Sequence, residues 1–341
     1  MLGEIRAAHR FDIDRLVDYL ATRMELGTGT VQVKQFDAGQ SNPTFLIQTP
    51  QAQYVLRKKP PGKLLPKAHM IEREYRVMDA LFPTPVPVPK MCHLCEDVEI
   101  IGTPFFLMEY VQGRVFWDAR FPEQSPEERA ALFKAMSQTL AAVHSVDLES
   151  AGLSTYGRAG NYFERQISIW TRQYLASETE PIDSIHQLIQ WLPKNIPDDD
   201  TTTLVHGDFR LDNMIFHPTE PRVIALLDWE LSTLGHPLAD LAYNCMGYLL
   251  DSPYHPALHK FAGASSGIPT LEEYVSQYCS ATNRDGIAHW NFYLAFSIFR
   301  SAAILQGVYK RGLQGNASST RALKLGPLVR IGGDAAWDLV R

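Results

Sequence analysis

The sequence predicts a two-lobed α+β protein, with an N-terminal antiparallel-sheet lobe at residues 1–110 and a larger, mainly helical C-terminal lobe at residues 111–341. Three observations carry this reading. Short strand-like apolar runs dominate the first lobe, stretches with helical periodicity dominate after Gly113, and one pair of short apolar runs near residues 214–227 interrupts the helices. With 341 residues, 45% of them hydrophobic, the chain is long enough for two lobes and a large buried core.

Residues 11–25 repeat apolar side chains at helical spacing, so a leading helix is expected before strands at 31–36, 44–48 and 54–58. Pro60, Pro61 and Gly62 break the chain ahead of a helix over 68–81, in which Met70, Ile71, Tyr75, Met78 and Leu81 form one buried face. A proline-rich connector at 83–89 leads to strands at 90–94 and 103–108. The second of these is nearly all apolar, which predicts a central place in the sheet. Helices are then expected over 126–144, 162–174, 185–191, 271–279 and 290–309. The runs 214–216 and 223–227, separated by turn residues around 218–221, predict a small hairpin.

A net charge of -6 and the absence of a lysine/arginine run give no electrostatic footprint for nucleic acid. No run approaches the roughly 18 uninterrupted apolar residues of a membrane span, and the charged start lacks the apolar centre of a signal peptide, so a cytoplasmic protein without a membrane partner is expected. Four cysteines fit a reducing compartment. Cys92 and Cys95 form a C-x-x-C, but no second pair follows at zinc-site spacing.

The chemistry concentrates around the hairpin. His206-Gly207-Asp208-Phe209-Arg210-Leu211-Asp212-Asn213 places an aspartate and an asparagine five positions apart, and Leu226-Leu227-Asp228-Trp229-Glu230 puts another carboxylate at the end of the returning strand. Phosphoryl transfer needs such a set. One carboxylate orients the attacking hydroxyl and takes its proton while oxygen ligands hold magnesium on the phosphates. Asp208 is the expected base, with Asn213 and Asp228 as metal ligands.

Together with Gly235-His236-Pro237-Leu238-Ala239-Asp240-Leu241-Ala242, these motifs resemble the aminoglycoside/choline phosphotransferase family. The resemblance implies a protein-kinase-like two-lobed fold, with a nucleotide-binding N-terminal lobe and a C-terminal lobe for catalysis and acceptor binding. ATP and Mg2+ are the implied cofactors, and a small-molecule hydroxyl is the implied substrate. Within the family, the sequence is most similar to a bacterial branch related to the kinase domain that precedes acyl-CoA dehydrogenase domains, which implies a hydroxyacyl-CoA or hydroxy acid acceptor. His206 and Asp240 are expected to brace the catalytic loop, and Asp212 to be solvated or part of a turn.

On the nucleotide side, residues 37–44 resemble the family's phosphate-covering loop, with Ser41 and Asn42 as candidate contacts beside backbone N–H groups. Arg57 stands where the family's lysine is usual. Arginine clamps phosphate through a bidentate fork, and strand alternation puts Lys58 on the opposite face. Glu74 matches the glutamate that pairs with this cation, whereas Glu72 is expected to face solvent or pair locally. The segment 106–113 resembles the inter-lobe linker, in which backbone groups around Glu109 and Val111 would hold adenine and Gly113 would serve as the hinge.

For the acceptor, the helical lobe offers Arg165, Trp170, Arg172, Trp290, Tyr293 and Arg300. Few carboxylates and several arginines in the last hundred residues favour an anionic or neutral acceptor over an aminoglycoside polycation. Two rival readings are a nucleotide-binding pseudokinase, permitted by Arg57, and an aminoglycoside-modifying kinase. A protein kinase is disfavoured because H-G-D and D-W-E stand in place of its own motifs. The acceptor, the oligomeric state, the choice between ATP and GTP, and whether Arg57 or Lys58 clamps the phosphates stay open at this level.

Overall fold

The computed structural model describes residues 2–37, 42–61, 69–251, 256–315 and 320–341, and Ser41 lies outside them. Its fold is α+β. Two compact units emerge, the first comprising residues 1–114, 151–153 and 213–231, and the second comprising 115–150, 154–212 and 232–341.

The first unit opens with β1 (Leu2–Gly3), α1 (Ile13–Ala21), β2 (Gln32–Phe36), β3 (Thr44–Gln48) and β4 (Gln53–Lys58). It continues through α2 (Ile71–Leu81), β5 (Met91–Cys95), α3 (Val98–Ile101) and β6 (Phe105–Glu109). All six strands pair antiparallel in the order β1-β2-β3-β4-β6-β5, which makes β6 interior, as its apolar run predicts. Strand alternation divides the two faces. Phe45, Ile47, Leu56, Phe105 and Leu107 are buried with Leu16 and Leu20 of α1. Each such leucine contributes roughly 2 kcal/mol by burial. Arg57 lies on the opposite face, toward α2, while Lys58 points back to the Phe11 ring, 5.4 Å away.

The second unit supplies α4 (Pro126–His144), α5 (Tyr162–Ser177), α6 (Asp183–Trp191) and β7 (Thr203–Val205). Ser125 caps α4 by accepting from the Glu128 N–H at 3.2 Å, and Pro126 occupies the first turn, where its missing donor costs nothing. The hairpin β8 (Met214–Phe216) and β9 (Val223–Leu226) follows. By sequence order this hairpin sits inside the C-terminal lobe, yet it packs into the first unit, because Leu226 N–H bonds to Pro87 O and Arg114 pairs with Phe216. Gly113 explains part of that attachment, since a Cβ there would stand 2.2 Å from Phe216 O.

After the hairpin come β10 (Thr233–Gly235), paired antiparallel with β7, then α7 (Pro237–Leu249), α8 (Leu271–Ala281), α9 (Trp290–Leu313) and α10 (Gly326–Asp338). The sequence reading omits α7 and α10. Helix α7 is buried on most sides and shows no clean apolar stripe, while Gly332 and Gly333 dilute the helical signal of α10. Gly333 is there for contact, since a Cβ on it would come within 2.8 Å of Ile185. Helix α9 has the length and apolarity of a membrane span, but two thirds of its most apolar window is buried and it packs against α5, α7 and α10. It is a core helix, apolar around its circumference because it is enclosed.

Candidate active site

In the first unit the hairpin register assembles one cluster. Met214 pairs with Leu226 and Leu227 N–H bonds to Asn213 O at 2.8 Å, so Asn213 and Asp228 flank the same end of the hairpin. The buried Trp229 anchors the turn by donating its indole N–H to Leu226 O at 2.9 Å. Asp228 itself adopts φ +64°, a left-handed conformation that costs a non-glycine residue on the order of 1 kcal/mol and recurs at functional sites.

Arg57 reaches this cluster from β4. Its Nε lies 2.9 Å from Glu74 Oε2 and an Nη donates to Asp228 Oδ1 at 2.6 Å. Burial works against the guanidinium charge, but Glu74, Asp228 and Glu230 more than offset it and hold Arg57 charged. Burial likewise pushes the Glu74 carboxyl up to about 7, with Arg57 pulling it down and Asp228 and Glu230 pushing it further up. Lys59 pairs instead with Glu72 at 3.0 Å, the local pairing expected for that glutamate.

Asn42 lies just ahead of β3. Its buried side chain donates to Glu230 Oε2 at 3.4 Å and its Oδ1 meets His69 Nδ1 at 3.0 Å, so both ends of the amide are already engaged. On the neighbouring strand Glu109 pairs with Tyr54, three residue pairs from the Arg57–Phe106 pair, roughly 10 Å along the sheet. The Glu109 N–H is taken by Lys90 O at 2.9 Å, and the Val111 N–H has no partner among the described residues.

This unit therefore offers a buried cation on β4 and, beyond β6, a linker N–H at Val111, two of the donors that a nucleotide takes. For a metal the donor chemistry is specific. The described residues contain no cluster of three or more His, Cys, Asp or Glu able to cage an ion by themselves. The Asp228 carboxylate and the Asn213 amide oxygen are hard oxygen donors of the kind that would hold Mg2+.

In the second unit the loop after β7 carries Asp208. Its Oδ1 accepts from the Tyr243 hydroxyl at 2.7 Å, and its Oδ2 accepts from Arg210 Nε at 3.1 Å. Arg210 also reaches Asp212 at 3.3 Å, so Asp212 is ion-paired. The ring of His206 accepts from the Asp208 N–H at 3.2 Å, and Asp240 accepts from the N–H groups of His206 at 2.5 Å and Gly207 at 2.9 Å. These bonds make a brace. Asp240 is also 3.4 Å from His144 Nε2. Burial, its largest influence, pushes its carboxyl up, but His144, His206 and the Gly207 N–H hold it below the usual carboxylate range.

Of the acceptor-side candidates, Trp170 and Arg300 come together. The buried Arg300 guanidinium lies 5.6 Å from the Trp170 ring and 5.5 Å from the Tyr243 ring, and it donates to Gly207 O at 2.8 Å. Arg165 bonds to Arg158 O and Arg172 to Ser168 O, Trp290 is half-buried, and Tyr293 is buried in a stack with His236 at 5.3 Å. Tyr243 is the residue that sequence reasoning missed. A signal existed, because it stands three residues after Asp240 and therefore on the same face of α7.

Comparison with known proteins places the chain in a family. The phosphotransferase enzyme family model matches residues 32–274. Mouse acyl-CoA dehydrogenase family member 10 is 53% identical over 91% of this chain, and human acyl-CoA dehydrogenase family member 11 is 48% identical over 93%. The chain spans only 29% and 42% of those two relatives. Among solved structures, a "putative aminoglycoside phosphotransferase" from Ralstonia eutropha superposes with a TM-score of 0.89 at 48% identity, covering 97% of this chain and 98% of that one. The fold extends to APH(4)-Ia in ternary complex with AMP-PNP and hygromycin B, with a TM-score of 0.62 at 15% identity over 94% of this chain and 97% of that one. With the family model matched over residues 32–274, most of its length, this chain belongs to the phosphotransferase enzyme family.

Proposed function

We propose that the protein is an ATP- and magnesium-dependent kinase that moves the γ-phosphoryl group onto the hydroxyl of a small molecule, with a hydroxyacyl-CoA or hydroxy acid as acceptor. The observation that carries this reading is the Arg57 cation held between Glu74 and Asp228 at the hairpin end that also presents Asn213. In this reading Glu109 and Val111 meet the adenine through their backbones, Arg57 clamps the phosphates, and Glu74 holds Arg57 in place. Asn42 supports the cluster through Glu230, and Ser41 is a further phosphate contact. Asn213 and Asp228 hold Mg2+, which neutralises charge on the phosphates. Asp208 orients the acceptor hydroxyl and takes its proton as the oxygen–phosphorus bond forms.

The acyl-CoA dehydrogenase names of the relatives support an acyl-CoA-like acceptor, and the few carboxylates and several arginines of the last hundred residues support an anionic or neutral one. A cytoplasmic location is part of the same proposal. Its test is a magnesium-dependent ATP-consumption screen over hydroxyacyl-CoAs, hydroxy acids, aminoglycosides, choline-like alcohols and sugars, run beside Asp208→Ala. Transfer to one acyl class that vanishes in the variant is the expected result. Transfer to aminoglycosides alone, or tight Mg-ATP binding with no transfer to any class, overturns it.

A further inference from the structure

Helix α7 holds the catalytic loop through one face. Asp240, Tyr243 and Asn244 follow the i, i+3, i+4 spacing that places side chains together on a helix. Each grips a different part of residues 206–209: Asp240 takes the His206 and Gly207 N–H groups, Tyr243 the Asp208 carboxylate, and Asn244 the Phe209 carbonyl at 3.2 Å. Asn244 is itself fixed by the Tyr274 hydroxyl at 2.7 Å.

We propose that Tyr243 is the positioning residue of the base Asp208, fixing the orientation in which the carboxylate meets the acceptor hydroxyl. This rests on the phosphotransfer reading above. The two bonds to the carboxylate differ in kind. Arg210 has a half-exposed side chain and divides itself between Asp208 and Asp212, so solvent competes for it. Tyr243 is held from behind, where the buried Arg300 lies against its ring and is tied to Gly207 O, the residue before the base. The relay Trp170–Arg300–Tyr243–Asp208 links α5, α9 and α7 to one carboxylate oxygen.

One effect follows. The bond restricts rotation of the Asp208 carboxylate, so one geometry is presented to the acceptor. Burial first, and the Asp208 charge second, push the Tyr243 phenol well above its ordinary value, so it remains a protonated donor through the neutral range. During transfer the acceptor O–H bond breaks and its proton passes to Asp208. The acceptor oxygen bonds to the γ-phosphorus as the bond from that phosphorus to the bridging oxygen breaks, and Tyr243 keeps its own proton. The ionisable groups facing Asp208 are Tyr243 and Asp240 on α7, Arg300 on α9, and His206, Arg210 and Asp212 in the loop itself.

Tyr243→Phe keeps the ring against Arg300 and removes only the donor. Two readouts apply: the carboxyl 13C resonance of Asp208 at neutral pH, assigned through Asp208→Asn, and the kinetics with the acceptor found by the screen. The resonance should move when the donor is lost. At neutral pH kcat should fall roughly tenfold with the acceptor KM little changed. An Asp208 resonance that stays in place overturns the proposal, as does lost activity accompanied by a lower Tm and a raised acceptor KM. A resonance that moves in a protein that phosphorylates no acceptor upholds the Tyr243–Asp208 coupling and counts against the kinase reading instead.

Discussion

Arg57 and Asp228, 171 residues apart in the chain, meet at 2.6 Å, and the same guanidinium holds Glu74 at 2.9 Å. Removing the arginine leaves both carboxylates without their cation. Arg57→Ala should therefore cost about 3 kcal/mol of stability and weaken nucleotide binding. Arg57→Lys should recover part of the stability only, since a single ammonium lacks the fork that reaches both partners. Urea unfolding and calorimetric titration with ATP read the two effects.

In the proposed kinase Asp228 holds magnesium, so Asp228→Asn should reduce transfer by roughly a hundredfold or more, a loss of about 3 kcal/mol of transition-state stabilisation. Nucleotide affinity measured without magnesium should change far less. A variant that binds Mg-ATP and turns over like the parent would remove Asp228 from the metal site.

Asp240 ties two loop N–H groups from a fully buried position, and its carboxyl sits below the ordinary value of 3.8. A depressed carboxylate contributes stability that is fully present above the unfolded value and is lost as pH falls through the folded one. Asp240→Asn should cost roughly 2–3 kcal/mol at neutral pH, with the gap from the parent narrowing as the pH drops below about 4. Denaturation midpoints at pH 7 and at acid pH test this sign.

Gly113 touches the hairpin so closely that any side chain must displace Phe216 O. Gly113→Ala should lower stability by about 1–3 kcal/mol, and hydrogen exchange should show faster opening of the Arg114–Phe216 bridge. An unchanged Tm would show that the strand yields without cost.

Alternation and periodicity along the chain determined most of the framework. β3 (Thr44–Gln48) and α4 (Pro126–His144) fall where the pattern puts them, because each buries one regular face and bears its own turn or cap signals. The hairpin that joins Asn213 to Asp228 was legible for a related reason: its spacing is local, set by apolar runs and turn residues that the sequence itself marks. The sequence also put Arg57 and Lys58 on opposite faces of β4, since a strand alternates whatever packs on it, and the structure turned Arg57 toward α2. Tertiary structure alone decided that the hairpin joins the first unit, that the Asn42 amide is spent on Glu230 and His69, and that Arg300 backs Tyr243. Those relationships depend on side chains from distant segments packed into one volume. A helix such as α7, enclosed on most sides, leaves no periodic trace of which residue will face the base.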